Sequence, residues 1–138
     1  MKLILENWRK FIKENSENLP ISEFSPPGRP LSVYVVMPSE KIYQKISSLF
    51  SPDVFGHGFF IQNNDLIIID GAIVDDNRYT EDHIRAIEAH EVGHAIAGHV
   101  GHGNIAQEIE ADDIAIKLLL SRGYDKAAAL LAQRVHNT

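Results

Sequence analysis

The apolar residues change their spacing across residues 71–79, and that break constrains the fold more than any other feature of the chain. Before it, Leu31-Ser32-Val33-Tyr34-Val35-Val36-Met37 is β-branched and aromatic and reads as a buried strand. Gly58-Phe59-Phe60-Ile61-Gln62 and Leu66-Ile67-Ile68-Ile69-Asp70 flank Asn63-Asn64-Asp65, which is a hairpin pattern. After a polar loop at 71–79, apolar residues recur at helical spacing. Strands followed by helices predict an α+β layout with a small, mainly antiparallel sheet. At 138 residues the chain has the size of one domain, taken as residues 1–138.

The remaining elements follow from local rules. Leu5, Trp8, Phe11 and Ile12 predict an amphipathic helix over about residues 2–16. Its charged face mixes both signs, so packing on the core explains it better than a membrane surface does. The run Leu3-Ile4-Leu5, broken by Glu6, is too short for an export signal. Pro20, Pro26, Pro27, Gly28 and Pro30 predict a surface connector. Pro38 is placed to open a helix with Ile42, Ile46 and Leu49 on one face. Gly123 suits a helix C-cap, and Asp125 opens a last helix with Ala128, Leu131 and Val135 inward.

Composition narrows the chemistry. With no cysteine, disulfides, thiol nucleophiles and cysteine-based zinc sites are all excluded. Any transition-metal site must use the seven histidines and the carboxylates. A net charge of −6 offers no basic face for nucleic acid. No apolar run approaches the roughly 20 residues that span a bilayer. A monomeric cytoplasmic protein without membrane or nucleic-acid partners is the expectation.

The chemistry is concentrated in His90-Glu91-Val92-Gly93-His94. Thr80 is a good N-cap for a helix through this segment, with Glu81 and Asp82 in its first turn. His90 and His94, four apart, then project from one face and are able to hold one metal ion. Glu91 lies about 100° round, close enough to reach water on the metal without being a ligand. Zinc held this way keeps an open position, and its water loses a proton near neutral pH. Glu91 is the general base for that proton. The plainer account is a core helix, since Ala89, Val92 and Ile96 form an apolar stripe.

Two histidines leave a catalytic zinc one protein ligand short. A third His at HExxHxxGxxH spacing is absent, because Ala97 and Val100 hold those positions. His99 points elsewhere on an ideal helix. A second helix supplies the alternative, with Asn104 as N-cap and Gln107 three residues on. At about 100° per residue, Glu108, Ala111, Asp112, Ala115 and Leu119 share one face, and Glu110, Asp113 and Lys117 the opposite one. Two acids on a small apolar face need a partner, because burying unpaired charge is costly. Glu108 is therefore chosen as the third ligand. Asp112, one turn on, is placed to accept an N–H from a liganding histidine. Glu110, Asp113 and Lys117 read as a solvated face.

The stretch from His90 to His99 resembles the HE-[LV]-GH-xxx-GH run of ImmA/IrrE-type metallopeptidases. Glu108-Ile109-Glu110-Ala111-Asp112, with Ala115 and Leu118-Leu119, resembles their E-x-E-A-N-x-x-A-x-x-L-L helix. Asp in place of Asn is the form seen in HtpX/Ste24-like gluzincins and soluble minigluzincins. The likeness covers about residues 56–121. It implies a zincin-like domain, zinc on His90, His94 and Glu108, and Glu91 as catalytic base. One departure is the spacing: 13 residues separate His94 from Glu108, fewer than is usual in those families. Glu110 and His99 stay open as alternative ligands.

These readings predict a soluble zinc endopeptidase acting on protein or peptide, with the strand before the HExxH helix pairing with extended substrate. The alternative is a regulatory or partner-binding module on a metallopeptidase fold, with a structural zinc or one dedicated protein substrate. A zinc-free helical interaction protein ranks last. For a second electrophile, Tyr79, His83, His102, Tyr124, Arg134 and His136 are all candidates. Gly56-His57-Gly58 reads as a tight turn.

Overall fold

Leu66-Ile67-Ile68-Ile69-Asp70 contains no alternation of polar and apolar residues, so as a strand it needs cover on both faces and both edges. The computed structural model, which describes residues 19–50, 56–99 and 104–134, places it there. Strands β1 (Ser32–Val36), β2 (Gly58–Ile61) and β3 (Leu66–Asp70) form one sheet in the order β1-β3-β2, and every residue of β3 is buried. Four helices accompany the sheet: α1 (Lys41–Ile46), α2 (Glu81–Ala97), α3 (Ile105–Ser121) and α4 (Asp125–Ala132). The described residues thus form a small mixed α/β domain, in keeping with the α+β expectation. The predicted N-terminal helix over 2–16 lies outside the described residues, as does Val135.

The sheet is not mainly antiparallel. β2 runs antiparallel to β3, from Gly58 opposite Ile69 to Ile61 opposite Leu66. β1 runs parallel to β3, from Ser32 opposite Leu66 to Val36 opposite Asp70. The end of β1 and the start of β2 lie at the same end of the sheet, so β2 itself carries the chain back to the end where β1 began, and the segment containing α1 links the two. The β2–β3 hairpin then inserts its second strand beside β1. Its connection uses a 3-10 turn at Gln62–Asn64 and Asp65 at φ +48°, held by Arg29 at 2.7 Å.

That order also moves the expected substrate strand. β3, immediately before the α2 helix, is paired on both edges and has no free ladder to offer. β1 and β2 are the edge strands, and among the described residues no strand or bridge pairs with the outer edge of β2. The outer edge of β1 is partly covered by the proline-rich segment, through an Ile21–Ser32 bridge and bonds from Ser22 N to Leu31 O and Val33 N to Pro20 O, at 2.8 and 2.9 Å. This segment is more than a surface connector. Its Phe24 is buried in the core, and Ser22 Oγ donates to Glu88 of α2 at 2.7 Å.

Two apolar layers meet the sheet. Val33, Ile67 and Ile69 pack with Ala86, Ile87 and Val92 of α2 and with Leu131 of α4. On the other side, Val36, Leu66 and Ile68 pack with Ile46 of α1 and half-buried Leu49. Pro38 does not open α1. Glu40 precedes the first helical residue and folds back to accept from Met37 N at 2.7 Å, so the helix starts at Lys41. No helix among the described residues is long and apolar enough to cross a membrane.

Candidate metal centre

Helix α2 starts where its cap chemistry requires. Thr80 accepts from His83 N, and the His83 ring accepts from Thr80 N at 3.0 Å, closing a capping box. His83 Nδ1 is thereby engaged at the helix start. Seventeen residues later Gly98, at φ +74°, ends the helix in the left-handed conformation that glycine adopts without strain. Helix α3 begins at Asn104, whose side chain accepts from Gln107 N at 2.9 Å. Its buried residues Ala111, Asp112, Ala115 and Leu119 match the face drawn by helical arithmetic.

The two helices touch backbone to backbone. A Cβ at Gly93 would stand 3.0 Å from Ala111 Cα and closer still to Ala111 O. Only glycine at the fourth position of His90-Glu91-Val92-Gly93-His94 lets α3 come this near, and only at this distance does a short side chain from α3 reach the histidines.

His90, His94 and Glu108 form one cluster whose donor atoms all lie within 4.8 Å of one another, close enough to hold a metal ion. His90 Nε2 is 2.9 Å from Glu108 Oε2 and 3.0 Å from His94 Nε2. His94 Nε2 is 3.3 Å from Glu108 Oε1. Zinc–nitrogen bonds of about 2.0–2.1 Å in a tetrahedron set ligand atoms about 3.3 Å apart, so the spacing fits such an ion. Of the alternative ligands, neither joins this cluster. Glu110 sits on the far side of α3 from Glu108, and His99 meets His94 through the other ring nitrogen.

Each histidine nitrogen facing away from the cluster has a partner. His90 Nδ1 is 2.6 Å from Asp112 Oδ1, a buried carboxylate, as the residue pattern predicts. His94 Nδ1 is 2.9 Å from His99 Nδ1, and His99 Nε2 is 3.1 Å from Glu110 Oε1. This second link was not legible by projecting His99 onto an ideal helix. Gly98 reverses the chain, His99 N bonds back to His94 O at 3.1 Å, and the ring folds against His94. The sequence signal for it is Gly98 itself, a helix stop directly before the histidine.

The electrostatics suit a cation. Burial opposes a charge on His90, yet hydrogen bonds to Asp112 and Glu108 prevail and push its pKa up to about 9. Burial also works against ionised Glu108, but bonds from His90 and His94 hold its carboxyl well below the usual carboxylate range. The chain alone therefore stores a proton where a metal ion would place its charge. Glu91, 4% exposed, is pushed up by burial, with His90 and His94 pulling the other way. Strand β2 passes beside it, since a Cβ at Gly58 would lie 3.4 Å from Glu91 Cγ.

Of the remaining electrophile candidates, Arg134 reaches the cluster, with Nη1 3.4 Å from Asp112 Oδ1 and 3.8 Å from Glu108 Oε2. Tyr124 packs on Phe24 and lies under Arg85. Tyr79 OH is 3.4 Å from His57 Nε2. His102 and His136 lie outside the described residues. His57 does more than sit in a turn: its Nδ1 is 2.8 Å from Asp70 Oδ2, and its carbonyl accepts from Asp70 N, which ties the start of β2 to the end of β3. Tyr43 OH donates to the same carboxylate at 2.9 Å.

Comparison of the chain with family models, curated proteins and solved structures returned no match.

Proposed function

We propose that this chain is a zinc-dependent endopeptidase of the gluzincin type, with His90, His94 and Glu108 as ligands and Glu91 as general base. The observation that carries the reading is the cluster itself: three nitrogen and oxygen donors at tetrahedral spacing, with a buried carboxylate one residue from the first ligand. Nitrogen and carboxylate donors without sulfur suit zinc among other divalent ions. Zinc bound there supplies a Lewis acid that polarises the scissile carbonyl and makes water a nucleophile near neutral pH.

The protein's own groups do the rest. Glu91 takes a proton as the water oxygen adds to the carbonyl carbon, and returns it to the amine nitrogen as the C–N bond breaks. Burial raises its pKa toward the range where it serves in both directions. Asp112 accepts from His90 Nδ1, which directs the Nε2 lone pair inward. Arg134 offsets the excess negative charge of Asp112 and Glu108. An extended peptide is proposed to add to the sheet at β2, the edge strand nearest Glu91. The expected setting is the cytoplasm.

Glu91→Gln tests this reading. The amide fits the same space but cannot take a proton. Zinc content and thermal stability are expected to match the wild type, while hydrolysis of an unstructured protein such as casein falls by ~10²–10⁴-fold. Hydrolysis that survives both Glu91→Gln and a zinc chelator refutes the mechanism.

A further inference from the structure

We infer that His99 and Glu110 form a relay that sets the tautomer and orientation of His94 and thereby tunes metal affinity at the proposed site. The inference rests on the metal-binding reading above. It concerns two residues that neither ligate nor catalyse.

Proton positions on the neutral rings carry the argument. His94 Nε2 faces His90 Nε2 and Glu108 Oε1, so a ligating His94 must keep its Nε2 lone pair free. Its single ring proton then sits on Nδ1 and needs an acceptor. The partner there is His99 Nδ1 at 2.9 Å, which accepts only if the proton of His99 is on Nε2. His99 Nε2 in turn meets Glu110 Oε1 at 3.1 Å. One pattern satisfies every atom in series: His94 Nδ1–H donates to His99 Nδ1, and His99 Nε2–H donates to Glu110. A carboxylate accepts and never donates when ionised, so Glu110 gives the relay its direction. The His99 side chain is 8% exposed, which keeps water from substituting for this partner, while Glu110 is 56% exposed. The fold builds the relay deliberately from both sides: Gly98 turns His99 back under His94, and α3 carries Glu110 two residues past Glu108.

Zinc affinity, measured by competition with a chromophoric chelator, tests the relay without any substrate. His99→Ala is expected to weaken zinc binding by roughly 10-fold, at the low end of losses for groups that orient ligands, and Glu110→Ala by less. Because the groups act in series, the double variant should lose no more than His99→Ala alone. His99→Asn places an amide oxygen near the position of Nδ1; it should restore most of the affinity and make Glu110→Ala silent. Ring ¹⁵N spectra of the zinc-loaded wild type should show His99 protonated on Nε2. Unchanged affinity in His99→Ala, additive losses, failure of His99→Asn to restore binding, or a proton on His99 Nδ1 would each overturn the relay. A wild type that binds no zinc overturns the metal site as well; a wild type that binds zinc beside an unaffected His99→Ala overturns the relay alone.

Discussion

His90 and His94 sit one helical turn apart and face the same cluster, yet the protein supports them differently. His90 leans on Asp112, a carboxylate with a 6% exposed side chain, directly and at 2.6 Å. His94 leans on a second imidazole, and the carboxylate at the end of its chain is more than half exposed. The first support comes from a helix face packed against α2. The second comes from the chain just past the end of α2 and from the opposite side of α3. A buried, charge-assisted bond is stronger and less screened than one ending in solvent. The His90 side should therefore resist change, and the His94 side is where affinity is adjusted.

The largest effect should come from the residue common to both halves. Glu108→Ala removes the carboxylate whose two oxygens face the two rings and is expected to abolish tight zinc binding, exceeding the roughly 10–100-fold loss that orienting groups produce. Zinc titration of the purified variant measures it, and a tight site surviving there would move the third ligand to another residue. Asp112→Ala removes the support of His90 and with it one partner of Arg134, leaving the His94 link in place. It should weaken zinc by about 10–100-fold, more than either relay variant, and the reverse ranking would undo the comparison.

Gly93→Ala strikes the geometry that brings the two sides together. The added methyl meets the Ala111 backbone, which a side-chain rotation cannot relieve. A loss of about 1–3 kcal/mol in unfolding free energy is expected from denaturant titration, with weakened zinc binding because Glu108 is carried away with α3.

Proton linkage sharpens the same contrast in metal-free protein. The pKa of His90 is raised to about 9, so its contribution is fully present below its unfolded value of 6.5 and is lost as pH rises through about 9. The pKa of Glu108 is lowered, so its contribution is present above its unfolded value of 4.5 and is lost as pH falls. Melting temperature with chelator present should therefore be highest between those two unfolded values. With zinc bound, the alkaline decline should shrink, since the ion takes the place of the proton on His90. Identical pH profiles with and without zinc would contradict this account.

The smallest expected effect is at Gly98. An alanine there has open space but must hold φ +74°, which costs about 1 kcal/mol. Loss of that turn should lower zinc affinity through His99 more than it lowers stability. Equal losses in both would reduce Gly98 to a plain helix cap.

Local pattern alone determined a good deal of this molecule. Thr80, Asn104, Asp125 and the hairpin signal at Asn63-Asn64-Asp65 mark element boundaries that the structure keeps, because caps and turns depend on nearest neighbours. Helical periodicity likewise placed His90 with His94 and Glu108 with Asp112, since each pair lies one turn apart on a continuous helix. Periodicity fails where a helix ends or where two chain segments must choose a neighbour. His99 follows Gly98, so its direction depends on a left-handed turn and on what α3 presents, and Glu110 looked merely solvated for the same reason. The parallel pairing of β1 with β3, the covering of β1 by residues 20–22 and the outer position of β2 all depend on which segments meet across the sheet. No residue of a strand encodes which strand lies beside it; the competition for buried edges across the whole fold settles that, and with it the strand that passes beside Glu91.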